Sequence, residues 1–116
     1  SPQATVHFIN SLPAEIAGDR LRQLDEALGF SATRNAEIGR TWFIQVAHRR
    51  HTDAYEALRQ YLQRHGRGRL IQPVYLELAQ NGSDLELARE IFASARKTYH
   101  PLINASIARV LEESAR

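Results

Sequence analysis

Apolar side chains recur three and four residues apart along almost the whole chain, and no stretch sustains a period of two. Ala17, Leu21, Leu24 and Leu28 form one stripe, and Ala54, Leu58, Tyr61 and Leu62 a second. Ala88, Ile91, Phe92 and Ala95 form a third, and Ile103, Ile107, Val110 and Leu111 a fourth. A strand would need alternating faces, so this spacing predicts an all-α fold. At 116 residues the chain is read as one domain, 1–116, because halves of that length would bury too little core to stand alone.

Punctuation between the stripes predicts where helices begin and end. Asn35 is positioned to cap a helix running to about Arg49, and Thr52 one running to about His65. Ser83 with Glu86 reads as a capping box for a helix to about Thr98. Pro13, Pro73 and Pro101 each suit a first helical turn, where the missing N–H costs nothing. Gly29, Gly66 and Gly82 fall just past helix ends. About seven helices with short connections follow, arranged as a bundle or as stacked hairpins. The run from Trp42 to Ala47 is apolar nearly all round, which predicts a central helix covered on two sides.

Composition removes several chemistries. The chain has no cysteine, so disulfides, thiolate metal sites and cysteine nucleophiles are excluded. No apolar run approaches the roughly 20 residues that span a bilayer. Residues 1–13 lack the basic start and apolar middle of a signal peptide. The chain starts at Ser1 and contains no methionine, and it is read as a piece of a longer protein.

No self-contained active site is expected, and no metal site within this fragment. His48 and His51 are three apart, but Arg49 and Arg50 separate them and no carboxylate completes a set, so both are read as solvated surface histidines. There is no His-Glu dipeptide, no Gly-x-Ser-x-Gly elbow and no phosphate-binding glycine loop. Glu112 and Glu113 sit on a polar terminal stretch and are read as solvated. The glycosylation sequons at Asn81 and Asn104 are short enough to arise by chance.

The feature left over is the tract Arg64-His65-Gly66-Arg67-Gly68-Arg69. Net charge is only +2, yet these six residues hold three arginines and no acid. The tract is expected to form a turn between two helices. Guanidinium forks beside a helix start would suit a carboxylate or phosphate, and a solvated basic turn would look the same in sequence. Acids interleave with bases elsewhere and few aromatics adjoin the tract, which argues against a nucleic-acid partner.

Three segments in order carry a family resemblance: Asn35-Ala36-Glu37-Ile38 followed by Trp42, then Gly66-Arg67-Gly68-Arg69 with Pro73, then Tyr99-His100-Pro101. Together they resemble the C-terminal helical domain of leukotriene A4 hydrolase and its bacterial aminopeptidase relatives, within the M1 zinc metallopeptidases. The resemblance implies an irregular right-handed superhelix of about seven helices in antiparallel pairs, armadillo- or HEAT-like, closing one side of a substrate cleft. Zinc and the general base would belong to a catalytic domain upstream in the same parent chain. The resemblance further implies that Arg67 and Arg69 hold the free carboxylate of a peptide substrate; separately, on charge pattern and hydropathy, no nucleic-acid or membrane partner is expected. A helical protein-interaction scaffold without a substrate role is the alternative expectation.

Overall fold

The computed structural model describes residues 1–116 and is all-α, with no strand. Seven α-helices run in order: α1 Pro2–Asn10, α2 Gly18–Leu28, α3 Ala36–His48, α4 Tyr55–Arg64, α5 Gly68–Gln80, α6 Leu85–Ala95 and α7 Pro101–Ser114. Two short 3-10 turns, Thr52–Ala54 and Gly82–Asp84, precede α4 and α6. The chain divides into two compact units, Ser1–Leu58 and Arg59–Arg116, with the boundary inside α4.

In the first unit α3 packs against α1. Asn35 caps α3 as its sequence position predicts, its Oδ1 accepting from the Glu37 and Ile38 N–H groups at 2.9 and 3.0 Å. Trp42, Phe43, Val46 and Ala47 are all buried, whereas Ile44 and Gln45 reach the surface in part. Trp42 Nε1 donates to Ser31 Oγ at 3.0 Å, and Ser31 in turn donates to both carboxylate oxygens of Asp25. That relay fixes the link after α2, which ends on Gly29 in the left-handed region at φ 70°.

Helix α3 ends in a Schellman motif. The His51 N–H donates to the Val46 carbonyl at 2.9 Å, and the Arg50 N–H to Ala47 at 3.2 Å. The left-handed position of this motif is held by Arg50, at φ 52°, rather than by glycine.

In the second unit α5 packs against both α6 and α7. Leu70, Ile71, Val74, Tyr75 and Leu78 form its buried stripe. Pro101 opens α7 at the predicted first-turn position, with the His100 side chain capping the Leu102 N–H at 3.0 Å.

Several boundaries differ from the sequence reading. Pro13 lies in a turn ahead of α2, whose helical residues begin at Gly18. Thr52 and Ser83 sit inside the 3-10 turns instead of capping helices, and no Ser83–Glu86 box forms. Pro73 is the sixth residue of α5 rather than in its first turn. Burial of Leu70 and Ile71 draws the helix start upstream of the proline, and the lost ladder bond falls on the Arg69 carbonyl near the helix end. His51 is a further correction: it is only 7% exposed, with its ring edge against Trp42 at 6.2 Å, and is not a surface residue. His48 is exposed as expected.

Candidate functional site

The basic tract occupies the connection from α4 to α5 in the second unit, and only His65, Gly66 and Arg67 lie outside a helix. Arg64 is the last residue of α4. Arg67 is the N-cap of α5, in extended backbone at φ −75°, ψ 128°. Its carbonyl accepts from the Leu70 and Ile71 N–H groups at 2.9 and 3.1 Å, which closes the first turn tightly. Arg69 is therefore on the helix, two residues past the cap, and not on a free turn as the sequence suggested. Both arginines are exposed. The first turn of α5 contains no acid, so the positive end of its macrodipole is unopposed within the turn.

Three tyrosines position this connection. Tyr61 donates from its hydroxyl to the Leu70 carbonyl at 3.0 Å, linking α4 to the start of α5. Tyr99 donates to the Leu62 carbonyl at 2.5 Å. Its single proton is then committed, so the 2.9 Å contact with Tyr75 has Tyr75 as the donor. All three rings are buried. Burial raises the pKa of both Tyr75 and Tyr99, and for Tyr75 the hydrogen bond to Tyr99 raises it further.

The second link of this unit, between α6 and α7, lies against the first. A Cβ added to Gly66 would meet Tyr99 Cδ1 at 3.8 Å, and one added to Gly68 would meet Ile103 Cδ1 at 2.9 Å. Gly68 thus marks the closest approach of α5 to α7. Neither residues 61–70 nor residues 94–107 include an Asp or Glu. Arg96 and Lys97 therefore join Arg64, Arg67 and Arg69 on two links whose own residues include no acid. Glu112 and Glu113 lie about 14 Å further along α7 from Ile103, at 1.5 Å per residue. Arg96 is held over the Phe92 ring, 4.7 Å from its centroid.

His65 adds little charge. Its ring sits 4.6 Å from that of Tyr61, and burial followed by the neighbouring Arg64 charge lowers its pKa below the ordinary histidine value. The positive field at neutral pH therefore comes from the guanidinium groups, with Lys97.

Sequence reasoning singled out Arg67 and Arg69 but missed the tyrosines that tie down the backbone around their link. Tyr61 and Tyr99 were visible only as members of an apolar stripe and of a Tyr-His-Pro step, and Tyr75 had no signal beyond its place on α5. No group of three or more His, Asp or Glu side chains converges to hold a metal ion in this chain. The family model described as leukotriene A4 hydrolase, C-terminal, matches residues 1–111. With nearly the whole chain covered, and seven helices around the segments that carry the resemblance, the chain belongs to the leukotriene A4 hydrolase C-terminal domain family.

Proposed function

We propose that this chain is the C-terminal domain of a zinc-dependent aminopeptidase of the M1 type. In this reading it closes the substrate cleft and binds the substrate's free carboxylate through Arg67 and Arg69. Zinc and the hydrolytic chemistry belong to the catalytic domain upstream in the parent chain, which is this domain's principal partner. The supporting observation is that two inter-helix links of the second unit, neither containing an acid in its own residues, lie against each other, with Arg67 at the N-cap of α5. A guanidinium there can present a planar fork to a carboxylate beside the positive end of the helix.

Anchoring one end of a peptide at a fixed distance from the metal aligns the bond at the other end by proximity and favours short substrates. In the parent enzyme, Arg67→Ala is expected to lower kcat/KM for free tripeptides by about tenfold to a hundredfold. Substrates with a blocked C-terminus should lose little. Equal loss on both overturns the anchoring role.

A scaffold reading is favoured by one observation in the first unit. Phe8 and Leu28 are 42% and 56% exposed beside the buried Phe30, with the Phe8 and Phe30 rings 6.3 Å apart. Such an apolar patch suits a docking face, toward the catalytic domain or another protein.

A further inference from the structure

The first unit contains a cleft of about 450 Å³ between the link that follows α1 and the C-terminal end of α3. Leu12, Ile16 and Leu21 give it an apolar wall, and Gln45, Arg49 and His51 line the polar side. Arg49 builds the rim. Its Nη1 donates to the Pro13 carbonyl at 2.7 Å, its Nη2 to Leu12 at 3.1 Å and its Nε to Gln45 Oε1 at 2.9 Å. Accepting from Arg49 orients the Gln45 amide, whose NH₂ supplies two donors.

His51 is the unusual member. It is 93% buried by its 7% exposure, and its backbone N–H and carbonyl are both taken, by the Val46 carbonyl and the Ala54 N–H. Its ring packs edge-on to Trp42, while the imidazole nitrogens have no hydrogen-bond partner in the chain and the ring lines the cleft. Facing the cleft, the imidazole can hydrogen-bond a bound molecule without giving up a partner in the chain. The N-terminus of α2 opens on the same space. Ala17 supplies no capping side chain, Gly18 lines the cleft, and a Cβ at Gly18 would meet nothing within 4 Å. Asp19, the acid of that first turn, is 3.6 Å from Arg22.

We propose that this cleft binds a small organic carboxylate with a short branched apolar body. The carboxylate accepts from the His51 imidazole N–H, the Gln45 NH₂ and the uncapped first turn of α2. The body rests on Leu12, Ile16 and Leu21. A free aliphatic acid and the C-terminal leucine of a peptide share this chemistry. The site lies wholly within the first unit and uses neither Arg67 nor Arg69, so it stands or falls apart from the aminopeptidase reading.

The test is a two-dimensional ¹H–¹⁵N titration of the chain with 4-methylpentanoate, with its neutral amide, and with N-acetyl-alanyl-leucine. The expected result is saturable movement of the Gly18 and Asp19 amides and the His51 ring with 4-methylpentanoate, and at least about tenfold weaker binding of the amide. Tighter binding of the acetylated dipeptide than of 4-methylpentanoate assigns the site to peptide termini; the reverse order assigns it to free acids. His51→Phe keeps the ring packing on Trp42 and should weaken the carboxylate by about tenfold. Ile16→Glu, at a half-exposed wall position, should abolish binding by placing like charge in the cleft, and serves if His51→Phe disturbs folding. Equal binding of acid and amide, or no saturable shift at these residues, overturns the proposal.

Discussion

Tyr99 donates its hydroxyl proton to the Leu62 carbonyl, so the link between α6 and α7 is tied to the last turns of α4. That carbonyl is among the four at the end of a helix that the helix itself does not satisfy. Tyr75 in turn donates to Tyr99. Tyr99→Phe leaves the Leu62 carbonyl buried without its donor and Tyr75 without its acceptor, at a cost of about 1–3 kcal/mol. Tyr75→Phe removes a donor whose acceptor stays bonded through its own proton, and should cost less, about 0.5–1.5 kcal/mol. Urea denaturation of the two variants checks the order. A larger loss for Tyr75→Phe would show that the proton runs the other way.

The same pair sets a limit at high pH. The folded-state pKa of Tyr75 and of Tyr99 is raised by burial above the ordinary value of 10.0, so the unfolded chain releases these protons first. Their contribution is fully present below pH 10 and is lost as pH climbs above it, by up to about 1.4 kcal/mol per unit for each tyrosine. His65 works at the other end. Its folded pKa is lowered, so its contribution is present above the ordinary 6.5 and declines as pH falls below that value. Unfolding free energy measured between pH 5 and 11 should fall off on both sides. Tyr75→Phe with Tyr99→Phe should flatten the alkaline limb, and His65→Phe the acidic one.

Helix type, and the order of the helices from α2 onward, were legible because they rest on local chemistry, whereas α1 had no stripe or cap in the sequence reading. The Asn35 cap, Pro101 at the start of α7 and Gly29 at the end of α2 each act within one turn, and each stands where the residues placed it. The misplacements came from tertiary burial overriding local signals. Pro73 reads as a helix start, but Leu70 and Ile71 ahead of it are buried and carry the helix upstream. His51 reads as surface between Arg50 and Thr52, yet the left-handed residue before it turns its ring onto Trp42. The arginines of the candidate anchor were visible as a charge run; the tyrosines that tie down the link carrying them were not, because their partners are backbone carbonyls and a hydroxyl 9 to 37 residues away.

Arg50 offers a test of that left-handed turn. Its φ of 52° is accessible to glycine without the Cβ clash that other residues meet. Replacing Arg50 by Gly and by Ala deletes the same side-chain interactions, so the difference between the two isolates the backbone. The glycine variant should be more stable than the alanine variant by about 1 kcal/mol. Equal denaturation midpoints would mean that the turn relaxes away from the left-handed region once the arginine is gone.

Gly68 and Ile103 bring the stability of the fold and the placement of Arg67 and Arg69 into one experiment. A Cβ at Gly68 would stand 2.9 Å from Ile103 Cδ1, closer than real contacts allow, while a first-turn helical alanine is otherwise preferred over glycine. The obstructing atom is the end of a flexible side chain, and Ile103→Val removes that atom alone. Gly68→Ala in the native background should therefore gain nothing or lose slightly. In the Ile103→Val background it should stabilise by about 0.5–1 kcal/mol, giving a favourable coupling in the double-mutant cycle. On the proposed carboxylate anchoring, whatever part of the clash α5 takes up by moving, rather than the Ile103 side chain by turning, should also raise the parent enzyme's KM for free tripeptides in the single Gly68→Ala variant, because Arg67 and Arg69 move with α5. The double variant should restore KM. Restored stability with KM still impaired would mean that the glycine serves the bound substrate directly, through close approach of the backbone, rather than the packing of α5 on α7.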